Sequence, residues 1–268
     1  MERKNLKKTR KTLGFALGSG GARGVAHVGF LQAMNEAGLR PDFISGCSMG
    51  SVVGAAYASG MKASEMRRAV NSLRFFDLID VTNKPGGFLD TRKMRKILAR
   101  YIGELDFSEL EIPFSCVALD MLSQKIVQFN EGSVVDAVVA SSSIPAIFKP
   151  MEKDGMRLVD GGVLTRVPVK EVKDMGAEVV IAVDVMNGKP IREKCPSPMV
   201  MLADIIEIID NERIAKYKKS NRKRYDLWLE PTLGDMNQYS FKNLDFAYEA
   251  GYELGTKNAE KIRQLIEG

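Results

Sequence analysis

Short unbroken apolar runs alternate along the chain with longer stretches whose apolar residues recur at helical spacing. Leu13–Leu17 (LGFAL), closed by Gly18, predicts a buried strand. Val25, Val28, Phe30, Leu31 and Met34 predict a helix over Val25–Glu36, with Gly38 as its C-terminal cap. Residues 42–45 predict a second short strand. Residues 52–59, apolar and small, predict a helix packed inside the protein and stopped by Gly60. This βαβα order implies a parallel sheet with helices on both faces. Farther along, 114–119 and 125–129 predict a hairpin, and Leu158 and Val159 lead into Asp160. Residues 178–185 (EVVIAVDV) form the clearest buried strand and 225–229 the last one, while 197–219 and 246–266 predict two long helices. The expected fold class is α/β, a three-layer sandwich with a mainly parallel central sheet. No repeat or low-complexity linker divides the chain, so one domain is expected over residues 12–268, behind a basic flexible tail of residues 1–11.

Composition narrows this picture. The 268 residues are 45% hydrophobic and 27% charged, the balance of a globular chain that can bury a large core without staples. Cys47, Cys116 and Cys195 match no metal spacing and no disulfide pattern, which points to a reducing, cytoplasmic setting. His27 is the single histidine, so a multi-histidine metal site is excluded; no metal and no cofactor are expected. The start, MERKNLKKTRK, resembles the charged head of a signal peptide. The following LGFALGSGGARG is too short and glycine-rich for an apolar signal region or a spanning helix, so neither is expected. The net charge of +5 gathers in two runs. One comprises Arg3, Lys4, Lys7, Lys8, Arg10 and Lys11; the other runs from Arg213 to Arg224. Such runs are usually solvated faces; the more specific reading is peripheral attraction to anionic lipid headgroups. Neither has interleaved aromatics, so nucleic acid is not an expected partner.

Gly46-Cys47-Ser48-Met49-Gly50 fits G-x-S-x-G. A serine on a sharp strand-to-helix turn is backbone-strained, and flanking side chains would collide. Glycine two residues either side removes that collision and leaves Oγ exposed at a helix N-terminus. Here the motif follows an apolar strand and precedes a small-residue helix, so Ser48 is the candidate nucleophile. The bland alternative is a plain βα turn.

A second glycine loop, Gly18-Ser19-Gly20-Gly21-Ala22-Arg23-Gly24, could aim backbone N–H groups at an anion: a phosphate, a carboxylate or a developing oxyanion. No Gly-Lys-Ser/Thr follows, which excludes a P-loop, and the dinucleotide fingerprint fails in both registers. The oxyanion reading needs a nucleophile nearby, and parallel strands would bring Ser48 to the same sheet edge. Arg23 is either a brace for the loop or a surface arginine. A nucleophilic serine also needs a base. His27 lies upstream within a helix, where a lone histidine is more often structural, so a carboxylate must serve. Asp42, Asp120, Asp160 and Asp184 stand at strand ends. Asp160 stands out because Gly161 and Gly162 let the chain approach another element, although Asp-Gly-Gly alone is simply a turn. A free aspartate has pKa about 3.9 and must be desolvated and positioned to act as a base.

The ordered set GSGGARG, GCSMG and DGG resembles the patatin-like phospholipase family. GVAHVGFLQAMNEAG, ASSSIPAIFKP, DGGVLTRVP with GAEVVIAVDV, and the terminal LEPTLG and FAYEAGYELG extend the resemblance from about Thr12 onward. The resemblance implies a Ser48–Asp160 dyad and an oxyanion hole from backbone N–H groups of Gly20, Gly21, Ala22, Arg23 and Gly24. Gly18, Gly46, Gly50, Gly161 and Gly162 support these motifs. It also implies metal-free hydrolysis of acyl esters of phospholipids, lysophospholipids or glycerides. Ser19 departs from the glycine that many members carry. The stretch from Ser143 to Phe148 is expected beside the site. Val200, Met201, Leu202, Ile205, Ile206, Ile208 and Ile209 exceed one core-facing stripe. A wide buried face is the expected explanation, with a surface for acyl chains, a membrane or a second subunit as the functional one. A homo-oligomer is thus left open. The competing functions are an acyltransferase on the same site, a nucleotide-binding oxidoreductase using the first glycine loop, and a non-catalytic lipid-binding regulator.

Overall fold

The structure is a computed structural model that describes residues 10–72, 87–186, 198–240 and 242–268. Cys195, Ser197 and the basic residues Arg3, Lys4, Lys7 and Lys8 lie outside them. The elements are β1 (Leu13–Leu17), α1 (Val25–Glu36), β2 (Phe43–Cys47), α2 (Met49–Ala58), α3 (Ala63–Ser72), β3 (Gly87–Leu89) and α4 (Arg92–Ile102). There follow β4 (Phe114–Asp120), β5 (Lys125–Phe129), α5 (Val134–Ser141), β6 (Ala146–Phe148), β7 (Met151–Lys153) and β8 (Met156–Asp160). The rest are α6 (Val169–Asp174), β9 (Val179–Val183), α7 (Pro198–Ser220), β10 (Leu227–Leu229) and α8 (Leu244–Glu267).

Strands β10, β9, β1, β2 and β4 pair in that order, all parallel. β5 and β8 then pair antiparallel to β4, and β7 antiparallel to β8. The central strands are buried along their whole length, which is why LGFAL and VVIAV read as unbroken apolar runs rather than alternating ones. Alternate residues feed two cores. Leu13, Phe15, Leu17, Val179, Ile181 and Val183 pack with α1, α2, α5 and α8 in the larger one. Ala16, Val180 and Ala182 pack with Val169 and Val172 of α6 in the smaller one on the other face. This is the expected three-layer α/β arrangement, with the parallel part at the centre and the antiparallel part at one side.

The expected elements are present with shifted ends. The second strand starts at Phe43 because the Asp42 carboxylate is a cap: it accepts the Leu13 N–H at 2.7 Å and is held by Nη1 and Nη2 of Arg10. The Lys11 N–H also bonds the Ile266 carbonyl, so Arg10 and Lys11, expected in the flexible tail, are tied to the sheet and to α8. α2 begins three residues earlier than expected, directly after Ser48. The expectation that the helix after Pro198 hides a wide apolar face is overturned. Met201, Leu202, Ile205, Ile206, Ile208 and Ile209 are all exposed, Ile208 and Ile209 by 64% and 63%.

Candidate active site

Sheet register brings Ser48 to Asp160. β5 occupies one edge of β4 over Cys116–Asp120. On the other edge β2 pairs as far as Cys47 beside Val117, and β8 pairs from Asp120 back to Asp160 beside Ala118. β2 runs parallel and β8 antiparallel to β4, so their C-terminal ends meet head-on. Ser48 and Asp160 are the residues at that junction, and the Ser48 side chain favours the ionised Asp160 carboxylate.

Ser48 is buried and holds φ +52°, a left-handed conformation costly for a residue with a side chain. The flanking glycines permit the turn. A Cβ on Gly46 would stand 2.5 Å from the Gly50 carbonyl oxygen, and one on Gly50 would stand 2.2 Å from that of Leu17. The Ser48 N–H donates to the Ser141 hydroxyl at 3.0 Å, and the Ser51 hydroxyl donates to the Ser48 carbonyl at 2.6 Å. The candidate nucleophile therefore stands on a braced elbow at the start of α2.

Asp160 is 7% exposed. Burial pushes its carboxyl up to about 6, against hydrogen bonds from the Ser48 side chain, the Gly162 N–H at 2.7 Å and the Cys47 thiol at 3.8 Å. A carboxylate tuned upward this way is still ionised at neutral pH and is a better proton acceptor than a solvated one. The Asp160 N–H donates to the Ser143 carbonyl, and the Gly161 carbonyl accepts the Leu164 and Thr165 N–H groups, so the DGG turn is fixed on both sides. The other carboxylates have other work. Asp120 accepts the N–H groups of Leu122, Ser123 and Arg157. Asp184 is fully buried and paired in two bonds with Arg166.

His27 is structural in its contacts. Its Nε2–H donates to the Gly18 carbonyl at 2.8 Å, and its Nδ1 meets no partner among the described residues. Burial lowers its pKa to about 4, so the ring is neutral at pH 7 and holds the entry to the glycine loop.

The loop narrows to fewer donors than the five-residue stretch named from the resemblance. The Ala22 N–H is occupied by the Gln238 carbonyl at 2.8 Å and the Arg23 N–H by that of Gly20 at 3.0 Å. Gly24 caps α1. Gly18 and Ser19 bond back to the Val183 and Arg166 carbonyls. Among the described residues, the Gly20 and Gly21 N–H groups meet no backbone acceptor. Gly21, at φ +50°, also lines the cavity in which Ser48 stands. Arg23 is a brace rather than a surface arginine: it is 3% exposed, its Nε donates to the Met236 carbonyl at 2.6 Å, and Glu207 lies 3.7 Å from its Nη1.

That cavity is about 320 Å³ and almost wholly apolar. Val28 of α1, Val53 of α2, Met66 of α3, and Met94 and Leu98 of α4 form its walls. Ile144, Ile147 and Phe148 line it from the stretch expected beside the site. A chamber of this size and apolar lining matches an acyl chain. The site also draws on residues to which the sequence assigned no role of their own. Ser141 and Ser142 follow no spacing rule, and the Met49 N–H is free of helical partners only because α2 starts there. Arg213, noted only as part of a basic run, donates to the Gly162 and Val163 carbonyls and so ties α7 to the DGG turn.

A family model described as patatin-like phospholipase matches residues 15–173. An uncharacterized NTE family protein of Mycobacterium tuberculosis is 36% identical over 187 residues, 68% of this chain and 52% of the relative. A lysophospholipase nte1 of Aspergillus fumigatus is 25% identical over 281 residues, 94% of this chain and 18% of the relative. The chain thus spans about half the length of the first relative and under a fifth of the second. Two solved structures share the fold. VipD from Legionella pneumophila has a TM-score of 0.64 at 14% identity, over 94% of this chain and 67% of that one. Full-length ExoU in complex with SpcU, from the type III secretion system of Pseudomonas aeruginosa, has a TM-score of 0.53 at 13% identity, over 97% of this chain and 54% of that one.

Proposed function

This chain belongs to the patatin-like phospholipase family, and from that premise we propose that it is a serine acyl hydrolase acting on phospholipid, lysophospholipid or related acyl esters through a Ser48–Asp160 dyad. One observation carries the reading: a strained serine, brought beside a buried carboxylate by strand register, stands in an apolar cavity. Asp160 takes the Ser48 proton as Oγ attacks the ester carbonyl. Backbone N–H groups at Gly21 and Met49 receive the negative charge that forms on the carbonyl oxygen. The alcohol or lysolipid leaves with the proton from Asp160, giving an acyl-enzyme at Ser48. Asp160 then takes a proton from water as its oxygen attacks the acyl carbonyl, and gives that proton to Ser48 Oγ as the ester bond breaks and the fatty acid leaves.

The acyl-sized apolar cavity at Ser48 and the name of the fungal relative make lysophospholipids the first substrates to test. Among the described residues no helix is long and apolar enough to cross a membrane. Access to lipid would come through peripheral contact by the apolar face of α7 and the basic residues after it. The deciding experiment is a lipid-panel hydrolysis assay with Ser48→Ala as control. Wild type releases fatty acid and Ser48→Ala does not; equal release by both removes the nucleophile assignment. Adding alcohol or lysolipid acceptors to the assay separates hydrolysis from acyl transfer.

A further inference from the structure

Three consecutive serines, Ser141, Ser142 and Ser143, sit where α5 runs out against the site. Two have evident partners. The Ser141 hydroxyl receives the Ser48 N–H. The Ser143 hydroxyl donates to the Val139 carbonyl at 2.8 Å, and its carbonyl receives the Asp160 N–H at 2.9 Å. Ser142 differs. Its N–H is bonded to the Val138 and Val139 carbonyls, but its hydroxyl is buried with no partner among the described residues. The residue is 8% exposed and lines the same cavity as Ser48, Met49 and Gly21. A buried hydroxyl without a partner costs stability, and alanine would fill the position without that cost. The hydroxyl therefore calls for a partner that arrives with the substrate.

The site is also short of donors. The N–H groups of Ser48, Ala22 and Arg23 are occupied within the protein, which leaves Gly21 and Met49 at the cavity wall. An oxyanion is best stabilised by several preorganised donors in a dry site. We propose that the Ser142 hydroxyl supplies one of them, as a catalytic residue that donates a hydrogen bond to the oxyanion formed when Ser48 attacks. This rests on the acyl hydrolase reading above. In the step, an Oγ lone pair of Ser48 forms the bond to the carbonyl carbon and the Ser48 proton passes to Asp160. The carbonyl π pair moves onto its oxygen, and Ser142 donates to that oxygen while keeping its proton. On collapse the pair re-forms the carbonyl, the bond to the leaving oxygen breaks, and that oxygen takes the proton from Asp160.

The test uses the full chain with p-nitrophenyl butyrate, measuring kcat, KM and Tm for wild type, Ser48→Ala, Ser142→Ala and Ser142→Thr. Ser142→Ala should lower kcat about 10²-fold and leave KM within about two-fold of wild type. Its Tm should be unchanged or higher, because an unpaired buried hydroxyl has gone. Ser142→Thr restores the hydroxyl and should recover most of kcat. Labelling of Ser48 by a fluorophosphonate, whose phosphoryl oxygen occupies the oxyanion position, should slow by a similar factor in Ser142→Ala. Wild-type turnover in Ser142→Ala overturns the proposal. So does a loss confined to KM, or one that tracks a fall in Tm. An inactive wild type, or an active Ser48→Ala, overturns the hydrolase reading instead.

Discussion

At the scale of single residues, two buried titrating groups at the site oppose each other. Asp160 is raised to about 6 from 3.8 by burial, so its folded-state contribution is fully present below about pH 3.8 and is lost as pH rises through 6. His27 is lowered from 6.5 to about 4 by burial, so its contribution is present above pH 6.5 and is lost as pH falls through 4. Between pH 4 and 6 the two slopes have opposite sign and largely cancel. Asp160→Asn removes one of them. The variant should gain stability with rising pH across that window, and at pH 8 exceed wild type by about 1–3 kcal/mol, since no buried carboxylate is then ionised. Thermal melts at pH 4.5, 6 and 8 read this directly. In wild type, kcat/KM should rise through a midpoint near pH 6 as Asp160 ionises, and a midpoint near pH 4 would deny Asp160 the base role. Ser48 was legible in the sequence because its constraint is local: glycines two residues away make the elbow possible. Asp160 was not, without the family pattern. Its partner is set by strand register, which places Cys47 and Asp160 beside successive residues of β4.

At the scale of elements, α7 is amphipathic the wrong way round for a surface helix. Glu207, Asp210, Asn211 and Arg213 face the protein, while Ile205, Ile206, Ile208 and Ile209 face outward. Its inner face is held by Arg166, 2% exposed, which pairs with Asp184 at 2.7 Å and reaches Asp210 and Asn211. Removing one member of a buried pair strands the other charge, which costs about 3–5 kcal/mol. Asp184→Ala should therefore lower unfolding free energy by that amount in urea titration. Activity should fall with it, because the Arg166 carbonyl holds the Ser19 N–H and α7 holds the DGG turn through Arg213. A loss under about 1 kcal/mol would show that the pair adds no net stability. The existence and length of α7 were readable from apolar spacing, but its orientation was not. Periodicity counts apolar residues without saying which partner buries them, and here the inner contacts from Glu207 to Asn211 are polar, with Ile214 and Tyr217 packing inward only farther along. α4 shows the converse: Met94, Leu98 and Ile102 recur every fourth residue, yet only packing makes Met94 and Leu98 walls of the acyl-sized cavity.

At the scale of the whole molecule, the outward face of α7 and the basic residues behind it form one continuous element. Ile206 and Ile209 are 60% and 63% exposed, and Lys216 on the next turns is 76% exposed. Burying each isoleucine offers about 1.5–3 kcal/mol, and each Lys or Arg near an anionic leaflet adds about 1 kcal/mol. The two contributions together suit an anionic lipid surface, and on its inner side the same helix holds the DGG turn through Arg213 and meets Arg23 of the glycine loop through Glu207. Wild type should co-sediment with phosphatidylcholine vesicles containing phosphatidylserine, less with phosphatidylcholine alone, and less again as salt screens the charges. The Ile206→Glu, Ile209→Glu double variant should lose vesicle binding and vesicle-lipid hydrolysis while keeping wild-type turnover of soluble p-nitrophenyl butyrate, since neither side chain touches the site. Sedimentation velocity on the same two proteins covers the rival occupant. If wild type is a dimer that the double variant splits, and neither binds vesicles, the face joins two copies of the chain and meets no membrane.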